Sequence, residues 1–174
     1  MLRRLASWTS LPLRNLVLGG VAVLACVGMH WAVTSGKVPR IYFEAQAVAC
    51  LPWDFYLPNA PKHRAVQRGD VVRFRARGIT PMFPDGTPMA KIAAGLPGDR
   101  IAIRRDRLYI NGLYWGSVAR GLFYYKKPSG YFDREFTIQP GQIFVLGTEP
   151  RSFDSRYWGP IKDDQVDGTL SVLF

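Results

Sequence analysis

The sequence predicts a mainly β domain preceded by a single N-terminal transmembrane helix, and three observations carry that prediction. Asn15 to Val33, NLVLGGVAVLACVGMHWAV, contains no charged residue and comes close to the roughly 20 residues needed to cross a bilayer. Beyond Pro39 the apolar residues fall in short runs broken by Gly, Pro and Asp, and no long stretch shows helical periodicity. Within that region Leu108 to Trp115, LYINGLYW, has the form of a hairpin, because Asn-Gly readily takes the positive φ angles of a two-residue type I′ turn.

The order of elements follows from these signals. Residues 1–14 form a cytoplasmic segment, since Arg3, Arg4 and Arg14 precede the apolar run and positive charge marks the cytoplasmic side, although Lys37 and Arg40 blunt the asymmetry. Residues 15–33 are the transmembrane helix; Gly19, Gly20 and Gly28 weaken it as a soluble helix but are tolerated in lipid, and His30 and Trp31 sit where it reaches the far interface. A cleavable leader would end in small residues, whereas this run ends in His30-Trp31, so an anchor is expected. Residues 34–174 then lie outside the cytoplasm.

Expected strands are Ile41 to Val48, Asp70 to Arg75, Met89 to Ala94, Arg100 to Ile103, Leu108 to Ile110, Leu113 to Trp115, Gln142 to Leu146 and Thr169 to Leu173. Gly78 to Pro88, GITPMFPDGTP, reads as a loop. Gly116 to Asp133 is irregular and rich in Tyr, Phe and Lys, a composition that suits either surface packing or contact with a partner or the membrane.

Composition narrows the chemistry. With 174 residues, 48% of them hydrophobic, the chain holds one membrane segment and one compact domain. Its net charge of +10 comes from 23 Lys and Arg against 13 Asp and Glu. The basic residues form no dense run, so a nucleic-acid partner is not expected. No zinc-like Cys/His spacing and no phosphate-cradling glycine loop is present, so no metal and no cofactor is expected. Cys26 lies inside the span and Cys50 well beyond it, too far apart for a disulfide. Cys50 is therefore a lone thiol in an oxidising compartment, which leaves an intermolecular bridge, a reactive group or a small buried hydrophobe. His63 is the only exported histidine, and no flanking pattern supports a Cys–His dyad. Lys91 is the stronger partner, a single lysine in the otherwise uncharged run MAKIAAGLPG; burial there would disfavour the ammonium and make a neutral amine accessible as a base.

AKIAAGLPGDRI, RGDVVRF and FVLGTEPRSFDSRYWGPI resemble blocks of the signal peptidase I superfamily, and CLPWDFY resembles the Ser-x-Pro-x-Gly-x-Tyr nucleophile block of its TraF-type branch, the conjugative-transfer peptidases. The likeness runs through most of the chain after Ile41 in the family's order. It implies a membrane-anchored Ser/Lys-type endopeptidase of the bacterial inner membrane, with an all-β catalytic domain in the periplasm, cutting after small residues at the end of exported leaders. By position the nucleophile falls on Cys50 and the general base on Lys91. Ser152 would orient the lysine amine, Asp154 and Arg156 would pair to hold their loop, Pro52 belongs to the nucleophile turn, and Gly95, Pro97, Gly98 and Asp99 would shape the turn after the base.

The sequence departs from the family at several positions. A cysteine replaces the serine, which preserves the chemistry because a thiolate is the more nucleophilic group. The serine of typical signal peptidases stands three residues before the proline, which selects the inert Ala49; the TraF-type spacing of two selects Cys50 and also aligns Tyr56. Asp54 replaces a glycine, and Val48 stands where many relatives supply an oxyanion hydroxyl, leaving the Cys50 backbone N–H and a second donor not evident from the sequence.

The resulting expectation is an inner-membrane peptidase of a conjugation or type IV secretion system that processes a pilin precursor, by hydrolysis or by transpeptidation into a ring. Its partners would be the precursor, the membrane and other conjugation-system proteins. The alternatives are an inactive scaffold of the same fold, suggested by Val48, Ala49 and Asp54, and a sortase-like Cys–His transpeptidase using His63.

Overall fold

The computed structural model describes residues 13–36, 41–43, 50–59, 65–149 and 151–173. The chain divides into two units, residues 1–40 and 41–174. In the first, α1 spans Leu13–Thr34, with no buried residue, and is long and apolar enough to cross a membrane. Its last turn closes on itself: Thr34 Oγ1 donates to the His30 carbonyl at 2.9 Å and Ser35 N–H to that of Trp31 at 2.8 Å. Gly36 follows at φ 75°, the left-handed conformation with which helices commonly end.

The second unit is built from short strands: β1 (Tyr42–Phe43), β2 (Phe55–Pro58), β3 (Val71–Arg75), β4 (Pro88–Gly95), β5 (Arg100–Arg104), β6 (Arg107–Ile110), β7 (Leu113–Ser117), β8 (Arg134–Thr137), β9 (Gln142–Leu146), β10 (Ile161–Lys162) and β11 (Val166–Val172), with short helices α2 (Ala119–Tyr124) and α3 (Ser155–Trp158). They form a seven-stranded sheet in the order β1-β2-β11-β3-β4-β9-β10 and a four-stranded sheet in the order β7-β6-β5-β8. Every pairing described is antiparallel, as in the β3–β4 and β4–β9 ladders.

Side-chain alternation along β4 separates two apolar layers. Met89 and Ala93 pack with Val72, Phe74 and Val145, whereas Ala90 and Ile92 turn to the opposite face, toward Leu51, Tyr56, Val71 and Leu170. A third cluster, with Ile101, Ile103, Leu108, Ile138 and Phe144 fully or nearly fully buried, fills the space against the four-stranded sheet. Removal of these apolar side chains from water is the main favourable term in such a fold.

The Asn-Gly hairpin forms as its sequence dictates: Asn111 and Gly112 take φ of 51° and 83° and Ile110 pairs with Leu113. The strands expected from Asp70 onward all occur, with most ends displaced by one to three residues. The strand expected over Ile41 to Val48 is described only at Tyr42 and Phe43, the remainder lying outside the described residues. Strands β2, β8 and β10 and helices α2 and α3 were not signalled, because each is too short to show a period. Helix α2 falls inside the irregular Tyr- and Phe-rich segment.

Arg68 and Asp99 tie two distant parts of the chain together. Asp99 accepts from Arg68 Nη2 at 2.6 Å, from Leu96 N–H at 2.6 Å and from Asn111 Nδ2 at 2.7 Å, while Arg68 also donates to the Ala94 carbonyl. Gly98 closes the turn at φ 91°. Gly95 instead ends β4, and a Cβ there would meet Ile138 Cδ1 at 2.6 Å and Phe144 Cβ at 3.0 Å; it is needed for close packing rather than for the turn. Burial pushes the Asp99 carboxyl upward, but the Leu96, Asn111 and Arg68 hydrogen bonds outweigh that and hold it below its ordinary value of 3.8. A depressed carboxyl stabilises the fold at pH values above its unfolded pKa, and the stabilisation disappears as pH falls through the native value. Thermal unfolding of the full chain in detergent should therefore show wild type losing stability below about pH 5, with Asp99→Asn less stable at neutral pH and flatter across that acid limb.

Candidate active site

Lys91 sits in the middle of β4 opposite Val72 and is only 1% exposed. Directly opposed residues in an antiparallel pair project to the same face, so its side chain leaves the sheet on the face shared by Met89, Ala93 and Val72. Among the described residues it has no ion-pair partner. On its other side β4 pairs with β9 through Ile92–Leu146 and Ala93–Val145, and continuing that register places Gly147 across from Lys91.

Gly147 is where the remaining site residues converge. A Cβ at this position would collide with Ser152 Oγ and Cβ and meet the Cys50 carbonyl oxygen at 2.5 Å. The volume a side chain would occupy, on the face toward which Lys91 projects, thus holds Ser152 and the Cys50 backbone. Ser152 is 2% exposed, and its Oγ makes no hydrogen bond among the described residues. Cys50 is half-buried, and its carbonyl accepts from Glu149 N–H at 3.3 Å. The cysteine turn is fixed from below: Leu51 and Tyr56 are both 3% exposed, and the Tyr56 hydroxyl donates to the Trp53 carbonyl at 2.6 Å. Pro52 and Asp54 are exposed on the outside of this turn.

The Ser152 loop is held by a buried ion pair. Asp154 caps α3, accepting from Arg156 N–H, and receives Arg156 Nε at 2.8 Å and Nη2 at 2.7 Å in a bidentate fork. The same carboxylate accepts from Gly147 N–H at 3.0 Å, joining the loop to the end of β9. Burial pushes the Arg156 guanidinium down, but the bonds to Asp154 more than restore it. Arg134, from β8, donates to the Ser155 and Arg156 carbonyls at 3.0 Å each, and burial lowers its own proton affinity. Sequence reasoning missed Arg134 and Gly147. Neither carries a local signal, because one acts through backbone carbonyls and the other by lacking a side chain.

A cavity of about 590 Å³ opens beside Cys50 and Ser152, walled largely by aromatic side chains that include Tyr125, Phe153 and Tyr157. Phe153 stacks on Tyr157 with centroids 6.0 Å apart, and Tyr125 contacts both rings. Burial raises both Tyr125 and Tyr157, keeping them neutral phenols. Gly121 of α2 lets the Tyr157 ring approach, since a Cβ there would strike it. Another open cavity, about 650 Å³, lies against Arg100, Arg104, Arg105 and Arg107 and touches none of Cys50, Lys91 and Ser152. No grouping of three or more potential metal ligands occurs among the described residues. Val48, Ala49 and His63 lie outside the described residues.

Residues 43–174 match the family model described as signal peptidase, peptidase S26. The chain belongs to that family. Signal peptidase I V of Bacillus subtilis (strain 168) is 31% identical over 131 residues, covering 66% of this chain and 71% of the relative. Signal peptidase I of Bacillus caldolyticus is 33% identical over 119 residues, with 63% and 62% covered, so the chain spans a little under two thirds of that relative's length. A crystal structure of a signal peptidase I from Enterococcus faecalis V583 aligns at a TM-score of 0.40 with 32% identity, covering 62% of this chain and 98% of that one.

In this member of the family the approach of the Cys50 and Ser152 segments to β9 depends on a position without a side chain. Gly147→Ala should destabilise the full chain by about 1–3 kcal/mol, the usual cost of overpacking a filled site, as read by chemical denaturation in detergent. Full tolerance would show that this close approach is absent.

Proposed function

We propose that the chain is a membrane-anchored endopeptidase in which Cys50 serves as nucleophile and Lys91 as general base, processing an exported precursor. The supporting observation is a buried lysine, without a counter-ion among the described residues, on the sheet face over which Ser152 Oγ and the Cys50 backbone lie, next to a cavity of about 590 Å³. The α1 helix supplies the anchor, with the β domain on the periplasmic side of a bacterial inner membrane. The spacing Cys50-Leu51-Pro52 and the placement of Tyr56 favour the TraF-type branch, and with it a conjugative pilin precursor of a type IV secretion system as substrate.

The chemistry divides into two acyl transfers. The Cys50 sulfur attacks the scissile carbonyl carbon while the thiol proton passes to the Lys91 amine. As the tetrahedral adduct collapses, the C–N bond breaks and Lys91 returns that proton to the departing amine, leaving a thioester on Cys50. Water then attacks the thioester, Lys91 takes its proton, the C–S bond breaks, and thiol and carboxylic acid are restored. Ser152 Oγ is an open acceptor for a lysine N–H, which would aim the amine at the sulfur. The Cys50 backbone N–H is positioned in sequence to stabilise the oxyanion, a type of contact worth a few kcal/mol in the transition state. An amine in place of water would join peptide ends instead.

The test uses the full chain in detergent with its natural precursor. Cys50→Ala and Lys91→Ala should each reduce processing by about three orders of magnitude or more, with His63→Ala unaffected. Unchanged processing in the first two variants would leave a binding scaffold, and loss confined to Cys50→Ala and His63→Ala would establish a Cys–His enzyme instead. Mass spectrometry of the mature product separates the two acyl acceptors, since a cyclic product is lighter than the linear one by one water.

A further inference from the structure

The proposed chemistry makes no use of the aromatic segment between Gly116 and Asp133, yet part of it, Arg120, Gly121 and Phe123 to Tyr125, walls the cavity that Cys50 also lines. Phe123 and Tyr124 are 87% and 69% exposed, and Met82, from the facing loop, is 42% exposed. Large apolar side chains gathered in solvent at the rim of a cavity mark a surface that is covered in use. The volume, about 590 Å³, is in the range that encloses a ligand of several tens of atoms. A methyl group would leave most of it empty.

Among the described residues the charge at this cavity has one sign: Arg120 and Arg151 line it and no carboxylate does. Neither arginine has a hydrogen-bond or ion-pair partner among the described residues, in contrast to Arg68, Arg75, Arg77, Arg100, Arg104 and Arg156, each paired with an Asp or Glu. We infer that this cavity is a side-chain subsite for a bulky apolar residue, best an aromatic one, close to the scissile bond of the substrate, and that Arg120 and Arg151 select an acidic residue beside it. The inference rests on Cys50 as nucleophile, because that residue places the scissile carbonyl at the cavity edge. A small residue at the cleaved bond is compatible with a large one next to it, since successive side chains of an extended peptide point to opposite sides.

The experiment separates this subsite from the chemistry. Matched extended peptides carrying Phe or Ala, and Asp or Lys, at positions walked outward from the cleavage site are bound to full-chain Cys50→Ala enzyme in detergent and read by fluorescence anisotropy; the same peptides are offered to wild type for cleavage. At one position Phe should bind about tenfold or more tighter than Ala, from burial of the ring. At a neighbouring one Asp should be favoured over Lys by about tenfold at low salt, a ratio that shrinks as salt rises. Phe123→Ala should reduce the Phe-to-Ala ratio, and Arg120→Glu with Arg151→Glu should invert the Asp-to-Lys ratio. Each ratio is taken within one protein and needs no unchanged basal affinity, and the single reversals give the same reading should the double variant not fold. Equal binding of all peptides, or an Asp preference that survives charge reversal, overturns the inference. Selective binding by Cys50→Ala without cleavage by wild type leaves the subsite in place and removes the proposed catalytic reading instead.

Discussion

The arrangement around Lys91 depends on keeping a lysine amine out of water with no counter-ion among the described residues. An ammonium in such a place has lost its hydration and gains no ion pair in return. The cost is bearable because the flanking β3 and β9 strands supply a rigid apolar wall, with Val72 and Val145 fully shielded. A flexible helix or loop would let the side chain escape to solvent, whereas an interior strand of a seven-stranded antiparallel sheet does not.

The loops above that strand answer to a second constraint, the bare surface at Gly147. Ser152 and the Cys50 carbonyl can both sit there only because no Cβ intervenes. The Asp154–Arg156 fork and the Arg134 contacts to the Ser155 and Arg156 carbonyls then hold the Ser152 loop against β9. Stability of this kind is expensive to disturb, since removing one member of a buried ion pair leaves the other charge unpaired. Leu51 and Tyr56 play the equivalent part for the cysteine turn, using apolar burial and one hydroxyl hydrogen bond.

Arg68 and Asp99 show how the scaffold keeps β4 in register with its surroundings. Their ion pair, with the Asn111 amide donating to the same carboxylate, joins the entry to β3, the turn after β4 and the β6–β7 hairpin. The strand that carries Lys91 is thereby fixed at its far end. The two sequence blocks in which Arg68 and Asp99 stand are structural partners.

The sequence by itself determined the long apolar helix, the β character of the rest, the Asn-Gly hairpin and the lone lysine of β4, because each rests on local composition or on a period readable within a few residues. It also singled out Cys50, Ser152, Asp154 and Arg156 through the resemblance of their segments to a peptidase family, whose model matches residues 43–174. Only the tertiary structure decided that Gly147 lies between Cys50 and Ser152, that Arg134 reaches the α3 carbonyls, and that the Tyr- and Phe-rich segment becomes the wall of a cavity. Those relations join residues far apart in the chain through backbone groups, through the absence of a side chain or through ring packing. None of these leaves a periodic trace in the order of amino acids.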